Sequence, residues 1–181
     1  MMSLDIYLSS LSNEEYRKVK KQIPESSIKT MPLQSWDIYS QHFRRLLSGQ
    51  RRQNTINTFK EIAQKFQWEN KIDELFENRD FEALVLTDLK NEIQWVSEGF
   101  TEMTGYSKQF ALNKTPKFLQ GKDTDAAVIE RIRYKLSRDL AFKEVLVNYK
   151  KDRTPYRCEI SVIPLLKDKT THYLALERQI A

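Results

Sequence analysis

Apolar positions in the first 80 residues recur at helical intervals, and beyond them they collect into short runs separated by turn residues. Ser12-Asn13-Glu14-Glu15 predicts a charged helix, with Ser12 as N-cap and Glu15 at the capping-box position. Pro24, Ser26, Ser27 and Pro32 mark a loop. Trp36, Tyr39, Phe43, Leu46 and Leu47 fall on one helical stripe that Gly49 is expected to stop. Ile56, Phe59, Ile62, Ala63 and Phe66 form a second stripe, continued after a break by Trp68, Ile72, Leu75 and Phe76. Such stripes must be buried on the sheet that follows, in a bundle, or on a second chain, because isolated helices of this length draw most of their stability from packing.

From Ala83 the periodicity is that of strands. Residues 83–88 and 92–96 read as a hairpin, and residues 142–149, 155–164 and 172–178 as three further strands, with turns at Lys151-Asp152-Arg153 and Lys167-Asp168-Lys169. Between them, Ser97 is placed to cap a short helix ended by Gly105, and Thr124-Asp125 to cap a helix carrying Val128, Ile129, Ile132 and Leu136.

Composition narrows the function classes. A net charge of +5 spread over interleaved acidic and basic residues, with no basic tail, counts against nucleic acid as a partner. The arginines at 44, 45, 51 and 52 are expected on a solvated face. One cysteine, Cys158, leaves no internal disulfide, and with two histidines, His42 and His172, a protein-only metal centre has too few ligands. No apolar run is long enough to span a membrane and the N-terminus does not read as a signal peptide, so the expected location is the cytoplasm. No phosphate loop, nucleophile elbow or kinase signature is present, and the expectation is a protein that is not an enzyme.

Val96-Ser97-Glu98-Gly99-Phe100-Thr101-Glu102-Met103-Thr104-Gly105-Tyr106-Ser107, then Phe118-Leu119-Gln120-Gly121-Lys122-Asp123, Asn148 to Tyr156 and Thr171 to Glu177 together resemble a PAS domain of the flavin-binding LOV (light-oxygen-voltage) type. The resemblance implies an α+β fold: a helical region at residues 1–80, then at 81–181 a five-stranded antiparallel sheet flanked by short helices. It also implies candidate cofactor-binding residues. Gln120 and Asn148 match positions that address the isoalloxazine, Arg133 matches an arginine that pairs with the flavin phosphate, and Lys117 stands where a second arginine is usual. Lysine keeps that charge and loses the planar fork.

Three departures bear on chemistry. The family's reactive cysteine, in a segment Gly-Arg-Asn-Cys-Arg-Phe-Leu-Gln, is replaced by Pro116, which has no nucleophile. Glu177 stands where the family has a glutamine, and an ionised carboxylate only accepts hydrogen bonds. Cys158 stands where it has a second asparagine. The expectation is therefore a non-catalytic sensory or regulatory protein in signal transduction, not a cysteine-adduct photoreceptor. It would have no cofactor, or a small-molecule ligand, and would act as a homodimer or on a signalling partner through its N-terminal helices. The alternative is a redox or light sensor that keeps FMN or FAD through Gln120, Asn148, Arg133 and Lys117.

Overall fold

Both faces of the sheet are buried, which explains the unbroken apolar runs in its central strands. The computed structural model describes residues 11, 13–20 and 34–180, with side chains described chiefly from residue 49 onward. The cap expected at Ser12 and the stripe from Trp36 to Leu47 lie outside those described side chains. The chain divides into two compact units, Met1–Ser48 and Gly49–Ala181. Within the first, helix α1 (Asn13–Lys20) carries Glu14 and Glu15 in its opening turn, where the helix dipole favours negative charge.

Helix α2 runs without interruption over Gln34–Phe66, so Gly49 does not stop it. A Cβ at Gly49 would meet nothing, and one glycine costs a helix only about 1 kcal/mol, too little to break a segment whose C-terminal part is held by packing. The break comes at Gln67, whose φ is +59°. Helix α3 (Ile72–Phe76) follows.

The second unit is built on strands β1 (Ala83–Asp88), β2 (Ile93–Val96), β3 (Phe142–Tyr149), β4 (Pro155–Lys167) and β5 (Lys169–Ile180). They form one five-stranded antiparallel sheet in the order β2-β1-β5-β4-β3. Period-two alternation sorts the side chains. Leu84, Leu86, Ile163, Leu165, Leu174 and Leu176 face one way and pack with Ile56, Phe59, Ala63, Trp68 and Phe76. Phe59 is fully buried, its ring 5.8 Å from that of Trp68 and 5.7 Å from that of Phe76. Backbone bonds reinforce this cover: Glu69 N–H donates to Leu166 O at 2.8 Å and Leu166 N–H to Asn70 Oδ1 at 2.7 Å.

Residues 49–80 thus share a core with the sheet, and the boundary expected at 80/81 falls inside a compact unit. Arg52, expected on a solvated face, instead donates to the carbonyls of Phe76 and Arg79 at 3.0 and 2.9 Å and lies 4.4 Å over the Phe81 ring.

The opposite face carries Val85, Leu146, Ile160, Val162, Tyr173 and Ala175. Over it lie helices α4 (Glu98–Thr104), α5 (Lys108–Ala111) and α6 (Ala126–Leu136), with a 3-10 turn at Pro116–Leu119. Gly105 ends α4 at φ +77°, as its position implied, and the Asp125 side chain caps α6 by accepting from Ala127 N–H. Ser97 precedes α4 but does not cap it with its side chain; its hydroxyl accepts from Leu84 N–H at 2.9 Å, tying the start of α4 to β1.

Candidate functional site

Between this second face and α6 lies a cavity of about 380 Å³, within the range of small-molecule sites. Its wall is mainly apolar. From α6, Ile129, Ile132 and Leu136 project into it at helical spacing, and Val85, Leu146 and Ile160 close it from the sheet. Two salt bridges hold α6 over β3: Lys135 Nζ and Arg131 Nη2 lie 2.6 and 3.3 Å from the carboxylate of Glu144, whose pKa they hold below the ordinary range. The Tyr173 hydroxyl ties the end of α6 to β5, donating towards Leu136 O (3.0 Å) and Asp139 Oδ1 (2.6 Å).

All five candidate residues from the sequence reach this cavity. Lys117 and Gln120 come from the 3-10 turn and its end, Arg133 from α6, Asn148 from β3 and Glu177 from β5. The Phe-Leu-Gln-Gly run is pinned by its neighbours on both sides. Phe118 packs edge-on against Tyr106 (5.1 Å) and Phe110 (5.3 Å), while Leu119 is buried in the core. A Cβ on Gly121 would come within 2.3 Å of the Tyr149 ring, so only glycine lets the strand and the run approach so closely. Asp123 seals that contact by accepting from the Tyr149 hydroxyl at 2.5 Å.

Pro116 opens the 3-10 turn and itself lines the cavity, so it borders the space a ligand would occupy. Cys158 is fully buried on β4 and is not among the cavity-lining residues. Burial, then the charge of Glu177, pushes its thiol well above the ordinary range, which leaves no thiolate for nucleophilic chemistry. His172 packs on the other side of the sheet, its ring 4.6 Å from Phe66 and 5.3 Å from Trp68.

Glu177 is 5% exposed, and its Oε2 has no hydrogen-bond partner among the described residues. Burial pushes its carboxyl up to about 7. Sequence reasoning missed Lys90 and Asn91, in the β1–β2 turn, and Tyr173 as wall residues. Tyr173 was within reach, because it lies four residues before Glu177 on one strand and so on the same face.

The family model for the PAS domain matches residues 82–178. A blue-light photoreceptor of Listeria monocytogenes is 31% identical over 102 residues, 54% of this chain and 40% of that protein. A nitrogen fixation regulatory protein of Klebsiella oxytoca is 29% identical over 101 residues, 55% of this chain and 20% of that protein. The chain therefore spans less than half the length of either. A structure reported on the light-oxygen-voltage domain mechanism with a flavin analogue is 25% identical with a TM-score of 0.56, over 62% of this chain and 87% of that one.

Proposed function

The chain belongs to the PAS domain family, of the light-oxygen-voltage type, and from that premise we propose that its cavity holds a flavin and reports that flavin's state without bond formation from a cysteine. The observation that carries this reading is the convergence of Gln120, Asn148, Arg133, Lys117 and Glu177 on one largely apolar cavity of about 380 Å³. The unpartnered Glu177 Oε2 in its wall is the kind of orphan a ligand's polar edge satisfies.

A flavin supplies blue-light absorption and a reversible redox couple. The chain's own residues bind and orient it. Ile129, Ile132, Leu136, Val85 and Ile160 offer apolar surface for a flat ring system. Gln120 and Asn148 each present an amide that donates and accepts, suited to a heterocycle edge. Arg133 and Lys117 supply positive charge for a phosphate, Arg133 through a planar fork. Pro116 offers no nucleophile, and Cys158 is not a wall residue and is un-ionised.

The output runs across the sheet. Along β5, Tyr173, Ala175 and Glu177 face the cavity, while Leu174 and Leu176 lie in the core shared with Phe59 of α2. A ligand-dependent shift of β5 therefore reaches α2 directly. We place the signalling contact, a second copy or another protein, on the N-terminal helices, with no catalysis in the chain itself.

A blue-light photoreceptor is among the relatives, and a flavin itself carries a reversible redox couple, so either light or redox state fits as stimulus. The test is titration of ligand-stripped, refolded protein with FMN and with riboflavin. FMN is expected to bind one per chain and riboflavin at least about tenfold more weakly, since charge-assisted bonds to phosphate are among the strong ones. The difference should vanish in the Arg133→Ala, Lys117→Ala double variant. A folded protein that binds neither flavin overturns the proposal in favour of a cofactor-free interaction module.

A further inference from the structure

We propose that Glu177 is the proton-carrying wall of the cavity: a carboxyl that is neutral when a ligand is bound, donates its O–H to an acceptor atom on that ligand, and so links occupancy to pH. The inference rests on the reading of the cavity as a ligand site and adds the chemistry of one edge of the ligand, a carbonyl oxygen or an unprotonated ring nitrogen.

Position is the first argument. β5 lies in the middle of the sheet, and the cross-strand neighbours of Glu177 are Ala83 on β1 and Ile160 on β4, neither of which can hydrogen-bond to it through a side chain. Its Oε2 is buried at the cavity wall and unpartnered. A carboxylate in that place is uncompensated, whereas a neutral acid is tolerated and has one O–H to direct at an acceptor.

Surroundings are the second. Tyr156 and Cys158 on β4 feel the charge of Glu177, and both are pushed above their ordinary ranges, chiefly by burial. Glu82, just before β1, pushes both of them the same way. None of these groups supplies positive charge. The cations of the cavity wall are Lys90, Lys117 and Arg133, and none forms a salt bridge with Glu177 among the described residues. Arg178, next in sequence, is engaged by Glu159 and Asp80. Burial is thus unopposed, and the carboxyl sits at about 7 before any ligand arrives.

The sign of the linkage identifies the ligand edge. An acceptor on the ligand stabilises the protonated carboxyl, so binding takes up a proton above pH 7 and affinity falls as pH rises. A ligand offering only N–H donors would prefer the carboxylate, and affinity would rise instead.

The experiment measures FMN affinity from pH 5.5 to 9 for the full chain and for Glu177→Gln, alongside an infrared titration of the ligand-free protein. Wild-type affinity should be level below about pH 7 and then fall by up to about tenfold per pH unit, the limit for one linked proton. Glu177→Gln should lack that fall. Titration of the FMN phosphate is common to both proteins and cancels in the comparison. The ligand-free infrared difference, wild type minus Glu177→Gln, should show a neutral carboxylic acid carbonyl band that fades with a midpoint near 7. An identical pH slope in the two proteins, a rising slope, or no carboxylic acid band overturns the proposal. If neither folded protein binds FMN, the flavin reading fails, and the infrared titration alone decides whether Glu177 carries the proton.

Discussion

Replacing Glu177 by Gln should leave the ligand-free protein little changed at low pH and make it markedly more stable at high pH. An ordinary glutamate has a pKa of 4.5, and burial raises that of Glu177 to about 7 in the fold. Between those values the folded state holds a proton that the unfolded chain has released, so stability falls as pH rises through the window. Its contribution is fully present below 4.5 and is lost by the time pH has passed about 7. That gap, at about 1.4 kcal/mol for each pH unit, makes the full loss roughly 3–4 kcal/mol. The side chain is 5% exposed, so solvent screening takes little from that figure. Gln is nearly isosteric and does not titrate. Glu144 and Glu159, both held below the ordinary range by their cationic partners, are the same in the two proteins and drop out of the difference. Urea unfolding of stripped protein at half-unit steps from pH 4.5 to 8, followed by fluorescence, gives the quantity directly. The variant's advantage should grow from near zero to roughly 3–4 kcal/mol. A difference that stays flat across the window would show that Glu177 does not titrate there and would refute the reasoning.

Other perturbations test neighbouring parts of the account. Phe59→Ala should cost about 3–5 kcal/mol in a single cooperative transition, because the ring is fully buried between α2 and the sheet; a separate early transition for the helices would contradict the shared core. Gly121→Ala should cost about 1–3 kcal/mol by driving the Tyr149 ring off Asp123, and adding Tyr149→Ser should recover part of it; no recovery would place the strain elsewhere. Pro116→Cys puts a thiol at the cavity wall, and blue light should then reversibly bleach the absorbance of flavin-loaded variant but leave the wild type unaffected; equal response in both would count against the role given to Pro116.

Much of the sheet was legible because burial on both faces writes itself into runs such as Ala83-Leu84-Val85-Leu86, and because Gly105 and Asp125 perform local tasks that residue type nearly dictates. The limits were set by long-range contacts. Gly49 looked like a stop since its local cost is visible and the packing of Phe59 some ten residues on is not. Ser97 looked like a cap since its hydroxyl bond to Leu84 N–H joins residues that only the fold brings together. For the site, resemblance marked the five polar positions, whereas the open volume among them depends on the summed sizes of wall residues from six elements. What the sequence left open for Glu177, burial decides: near neutral pH it is as much an acid with a proton to donate as a carboxylate.

The most direct test of the central claim is an absorption spectrum of the protein as purified, before and after denaturation, with mass spectrometry of whatever is released. A structured blue absorption band, one flavin released per chain, and no light-driven conversion to a thiol-bonded form is the predicted result. A folded, colourless protein that releases nothing would contradict it.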